Sequence, residues 1–111
     1  MAYHRVMLIR SAPSTRVSCR ARDLALAWSR MPQASLLFFQ GPGLGHVLAG
    51  EESMFSTLVG RNLDLQVCVG GWRRRDAGQL PPPYRAGTLI QFWDAVSGAS
   101  VVASFGVSPR G

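Results

Sequence analysis

Cys68 stands where a run of apolar residues stops. Residues 65–75 read LQVCVGGWRRR: Leu65, Val67, Cys68 and Val69 have the pattern of a buried strand, Gly70 and Gly71 break it, and Trp72 leads into Arg73, Arg74 and Arg75. A strand that stops at a small-residue turn commonly hands over to a helix. The first N–H groups and the dipole of such a helix favour an anion, and neighbouring guanidinium groups act in the same direction. The thiolate is the nucleophilic form of cysteine. The chemistry on offer is therefore nucleophilic sulfur chemistry at the C-terminal edge of a parallel sheet, where α/β proteins place their sites. Free cysteine is also among the most buried residue types, so the preferred reading of Cys68 from the residues alone is an inert strand residue. The residues alone leave both readings open.

The remaining reactive side chains are scattered. Cys19 is far from Cys68 in sequence, with no C-x-x-C spacing, and reads as a partly buried helix residue. His4 and His46 are isolated, so no metal site is expected and the thiol chemistry needs no cofactor. His46 lies in QGPGLGHVLAG (40–50), read as a flexible loop; it is either a proton donor or, the preferred reading, a solvent-facing loop residue. The glycines at 41, 43 and 45 match neither G-x-G-x-x-G nor a phosphate loop. Glu51 and Glu52 are adjacent, so on a helix they diverge and do not form an acid/base pair.

The elements that must position Cys68 follow from periodicity. HRVMLIR (4–10) suits a first strand. Ser14 or Thr15 can cap a helix whose apolar positions are Val17, Ala21, Leu24, Trp28 and Met31, and Pro32 stops it. ASLLFF (34–39) suits a strand buried on both faces. A second helix is expected from Glu51, with Met54, Phe55, Leu58 and Val59 on its apolar face and Gly60 as its stop. After the strand 65–69, DAGQLPPPYRAG (76–87) reads as a loop with a polyproline stretch at Pro81–Pro83. TLIQFWDAVS (88–97) gives a further helix with Thr88 as cap and Leu89, Phe92, Trp93 and Val96 on one face. SVVASF (100–105) closes the chain as a strand before the tail GVSPRG. The alternation predicts one α/β domain over 1–111: a three-layer α/β/α sandwich with a mainly parallel sheet of four to five strands. The fifth strand is expected near His46–Leu48.

Composition bounds the function. The net charge is +6, and all twelve cations are arginines. The total absence of lysine points to arginine-rich codon usage rather than to a nucleic-acid surface, and no RNA-binding fingerprint is present. Direct nucleic-acid binding is not expected. No apolar run approaches the roughly 18 residues of a membrane span. The apolar patch Val6–Ile9 is too short for a signal-peptide core, so a cytoplasmic location is expected.

With Cys68 so placed, the chain resembles the DsrE/DsrF family of small sulfur-relay proteins, and its TusD-like members most closely. LQVCVGGWRRR carries the resemblance: an apolar strand, Cys-Val, small residues, then paired arginines. The first strand, ASLLFFQ and the ending TLIQFWDAVSGASVVASF support it. The resemblance implies a cysteine that carries sulfur as a persulfide, here Cys68. Arg73 and Arg74 match the family's arginine pair, and with Gly70 and Gly71 they are expected to stabilise the thiolate or bind a partner. Arg75 stands where the family usually has glycine. The resemblance also implies donor and acceptor proteins, assembly into homo- or hetero-oligomeric trimers or hexamers, and a place in tRNA 2-thiouridine synthesis or in intracellular sulfur oxidation. Some family subunits lack the cysteine. The alternative is therefore a non-catalytic interaction subunit that docks through Trp72 and Pro81–Pro83, with Cys68 inert.

Overall fold

In the computed structural model, which describes residues 2–58 and 62–106, the sheet has five strands, all parallel. They are β1 (Arg5–Ile9), β2 (Ser35–Phe39), β3 (Leu63–Cys68), β4 (Arg85–Gly87) and β5 (Val101–Phe105), in the spatial order β4-β3-β2-β1-β5. The chain steps outward from β1 to β4, then returns to the far side of β1, so the order reverses there. The helices are α1 (Arg16–Ser29), α2 (Leu44–Leu48), α3 (Val69–Arg74) and α4 (Leu89–Gly98).

Alternation along each strand divides the side chains between two layers. Met7, Ile9, Leu37, Phe39, Leu65 and Val67 face α1 and the segment 44–58, where Ala21, Ala25, Trp28, Leu44, Val47, Phe55 and Leu58 meet them. Val6, Leu36, Phe38 and Cys68 face the other way, against Phe92 of α4. The expected α/β/α sandwich is thus present. β2 is buried at every position, as a central parallel strand must be.

Caps fix the two longer helices. The Thr15 hydroxyl accepts from the Ser18 N–H at the start of α1. Thr88 and Gln91 form a reciprocal capping box at the start of α4.

Four local expectations differ. The buried stripe of α1 is Ser18, Ala21, Ala25 and Trp28, while Val17 and Met31 are exposed. The stripe is rotated because its first position is filled by a hydrogen-bonded serine, which hydrophobic periodicity does not register. The expected helix from Glu51 is instead a pair of single 3₁₀ turns, Gly50–Glu52 and Ser56–Leu58, with Ser53 in extended conformation between them. Ser53 Oγ accepts from the Phe55 N–H, a local bond that competes with a helix. Val59 and Gly60 lie outside the described residues, as does the tail from 107. The fifth strand is Arg85–Gly87, inside the segment read as a loop, and His46–Leu48 belongs to α2. The three prolines make a turn rather than an extended polyproline stretch, with the Tyr84 N–H donating to Pro81 O at 3.0 Å.

Candidate functional site

Cys68 is the last residue of β3 and the N-cap of α3, so strand and helix meet at the thiol. Its neighbour across the ladder is Gly87 of β4. The side chain points to the α4 side, into the cluster of Phe38 and Phe92, whose ring centroids are 4.8 Å apart. Cys68 is 6% exposed and its Sγ caps no backbone N–H. It is a free thiol, as is the exposed Cys19 in α1.

Two glycines follow close behind Cys68, and Gly71 is buried. A Cβ on Gly71 would lie 3.8 Å from the Cys68 Sγ, 3.8 Å from Arg74 Nη2 and 3.1 Å from Leu44 Cδ1. A Cβ on Gly70 would meet Arg74 Nη1 at 3.5 Å. The Arg74 guanidinium therefore lies beside both glycines. All three arginines are exposed, and Arg75 donates from Nη2 to Gly41 O at 3.1 Å. Arg74 is the one whose guanidinium lies beside the two glycines that follow Val69.

Trp72 is not a docking ring. It is 6% exposed, sits in the α1-side core, and donates from Nε1 to Gly78 O at 2.7 Å. The burial follows from its helix position, one residue past Gly71, which turns the indole under α3 while the arginines stay out. The exposed tryptophan is Trp93, at 62%, beside Leu89 and Ile90 on the outer face of α4.

His46 is also not solvent-facing. It is buried in α2, with Nε2 3.0 Å from both the Ser18 Oγ and Ser11 O, and the ring packs edge-on against Phe55. Ser18 in turn lies 2.6 Å from the Ser11 Oγ. Burial holds His46 below its ordinary titration range, and the bond to Ser11 O opposes this in part. The group fastens α1, α2 and the end of β1 together and lies on the layer opposite Cys68.

A polar cluster that the sequence reading missed lies on the same sheet face as Cys68. Asp64 and Gln66 of β3 point to this side. The Tyr3 hydroxyl donates to Asp64 Oδ2, Gln66 Nε2 donates to the same oxygen at 2.9 Å, and Arg85 Nη1 pairs with the carboxylate at 3.4 Å. Tyr3 is pushed up to about 12, first by burial and then by Asp64. Tyr3, Gln66 and Arg85 of this cluster, with Leu36, Gln91, Asp94 and Ala95, line a cleft of about 360 Å³ under α4. The signal available in the sequence was the alternation of Asp64 and Gln66 with Leu65 and Val67.

Among the described residues no group of three or more His, Cys, Asp or Glu side chains could hold a metal ion, and no helix is long and apolar enough to cross a membrane. The arrangement at Cys68 offers one nucleophile followed by two glycines, with the Arg74 guanidinium beside those glycines.

No protein-family model matches the sequence, and no curated protein matches it. The fold is similar to that of the ychN protein from E. coli. The TM-score is 0.68 at 19% sequence identity, over 95% of this chain and 100% of that one. At that identity the likeness is one of fold.

Proposed function

We propose that the chain is a DsrE-type sulfur-relay protein that accepts sulfane sulfur as a persulfide on Cys68 and passes it to a partner. The observation that carries this reading is the placement of a free cysteine at the junction of β3 and α3, with Arg74 beside Gly70 and Gly71. The fold shared with the ychN protein is consistent with it.

The chemistry is thiol exchange without net redox change. The Cys68 thiolate attacks the outer sulfur of a donor persulfide; the new S–S bond forms as the donor's S–S bond breaks, and the donor leaves as its thiolate. The acceptor thiolate then attacks the outer sulfur of Cys68–S–SH, and the Cys68 thiolate leaves. A nearby cation stabilises both the attacking and the leaving thiolate. Donor and acceptor are proteins in a cytoplasmic relay, ending in tRNA 2-thiouridine or in intracellular sulfur oxidation. The low exposure of Cys68 requires a local opening before a partner thiol reaches it.

A second reading, a non-catalytic subunit of a trimeric or hexameric assembly, is favoured by the apolar outer face of α4. Intact mass after incubation with a persulfide donor separates the two. A gain of one sulfur atom that survives Cys19→Ser and vanishes in Cys68→Ser supports the carrier. Sulfur on Cys19, or on neither, leaves the structural subunit.

A further inference from the structure

Arg10 is the first residue past the C-terminal end of β1, the strand at which the sheet order reverses. In open parallel sheets the crevice outside the strand ends at such a reversal is where ligands bind. Arg10, which is half-buried, is treated differently from the buried Arg5. Arg5 is buried with its guanidinium donating to three oxygens: the Ser35 Oγ at 2.8 Å, Pro32 O at 2.7 Å and Gln33 O at 2.8 Å. Arg10 Nε is also buried but has no hydrogen-bond partner among the described residues. A buried, unpaired donor on a charged group is costly to keep.

A second guanidinium converges on the same point. A Cβ on Gly41 would lie 3.0 Å from Arg10 Nη2, and Gly41 O accepts from Arg75 Nη2 at 3.1 Å. Two cations thus touch one residue, which has the positive φ of 56° that glycine tolerates. No carboxylate offsets them: among the described residues the one ion pair is Arg85 with Asp64, in the cleft under α4. Planar guanidinium groups in pairs, with donor positions unfilled, match the oxygens of a tetrahedral dianion.

We propose that Arg10 and Arg75, held across the Gly41 turn, form a binding site for a small tetrahedral oxyanion of the sulfate, thiosulfate or phosphate type. The site is separate from the thiol of Cys68 and stands whether or not that thiol carries sulfur.

The test is titration with sodium sulfate, thiosulfate and phosphate against sodium chloride at matched ionic strength. It is followed by calorimetry and by the Nε–H resonance of Arg10 in NMR spectra. Saturable binding is expected for at least one dianion, with a shift of the Arg10 Nε–H signal. The affinity is expected to fall tenfold or more in Arg75→Gln and Arg10→Gln, and to be unchanged in Arg20→Gln on the exposed face of α1 and in Cys68→Ser. The relative affinities of the three anions identify the preferred one. Equal binding by all variants, or no saturation beyond the chloride control, overturns the proposal. Arg75 is exposed, so Arg75→Gln keeps the test decisive even where Arg10→Gln fails to fold.

Discussion

Arg74 and Cys68 both border Gly71, a residue that has no side chain. The guanidinium nitrogen Nη2 and the sulfur each lie 3.8 Å from the point a Cβ on Gly71 would occupy. All three arginines are exposed, but Arg75 is committed to Gly41 O and Arg73 is not among the atoms nearest either glycine. An exposed cation near a charge is worth roughly 0.2–1 kcal/mol. Arg74→Gln is therefore expected to slow alkylation of Cys68 by iodoacetamide at pH 7 about two- to fivefold, and Arg73→Gln to leave it unchanged. Peptide mass mapping distinguishes Cys68 from the exposed Cys19. Equal slowing by both substitutions would show a general field effect instead.

The buried His46 makes stability depend on pH in a definite direction. Its folded-state titration lies below that of the unfolded chain because burial disfavours the imidazolium. The unfolded state therefore binds the proton first. Stability is fully present above the ordinary histidine range near 6.5 and declines as pH falls through it toward the folded value. Urea midpoints measured from pH 8 down to pH 5 should fall, and His46→Gln should flatten that slope. An undiminished slope in His46→Gln would assign the effect to another group.

The outer face of α4 carries Leu89, Ile90 at 77% exposure and Trp93 at 62%, and β5 beside it exposes Val101 and Val102. Neither element contains an arginine, although the chain has twelve. Copies of a chain with net charge +6 repel each other elsewhere on their surfaces; here they can approach without bringing arginines together. The oligomer proposed above should use this face. Sedimentation velocity should show Trp93→Arg and Ile90→Arg as folded monomers under conditions where the wild type assembles. Assembly that survives both substitutions would move the interface to another surface.

The strands were legible because a strand buried on both faces is an apolar run, as in SLLFF, and one with a polar cluster on one face alternates, as in LDLQVC. The site edge was legible for the same reason: a strand that ends at Cys68 and two glycines has little choice but to turn there. What was not legible is polar pairing inside the core. His46 and Ser18 are 28 positions apart, and nothing in either local pattern says that they bond. β4 was hidden because three residues, Arg85–Gly87, show no periodicity, and it forms because β3 offers them a ladder. Trp72 and Trp93 were read with exchanged burial. One residue's rotation about a short helix axis decides which ring reaches the core, and the register of α3 is set by tertiary contacts.

Tyr3 and Asp64 give the remaining test, on the sheet face that also holds Cys68. The phenol donates to a carboxylate that further accepts from Gln66 and pairs with Arg85. Ionising Tyr3 would place two anions together in a half-buried cleft, and its titration is pushed up to about 12. Tyr84 is raised too, mainly by burial, with its hydroxyl donating to the Ser53 Oγ. With both tyrosines protonated beyond the ordinary value near 10, the native protein should show no phenolate absorbance step there. The sign of the linkage follows: the stabilisation is fully present below 10 and is lost as pH rises from 10 toward 12. Asp64→Asn removes the carboxylate's contribution and leaves burial, so the Tyr3 step should move down part of the way, visible as phenolate absorbance at lower pH. A full phenolate step near 10 in the folded wild type would break the assignment of the cluster as a bonded unit, and an unchanged step in Asp64→Asn would leave burial as its sole cause.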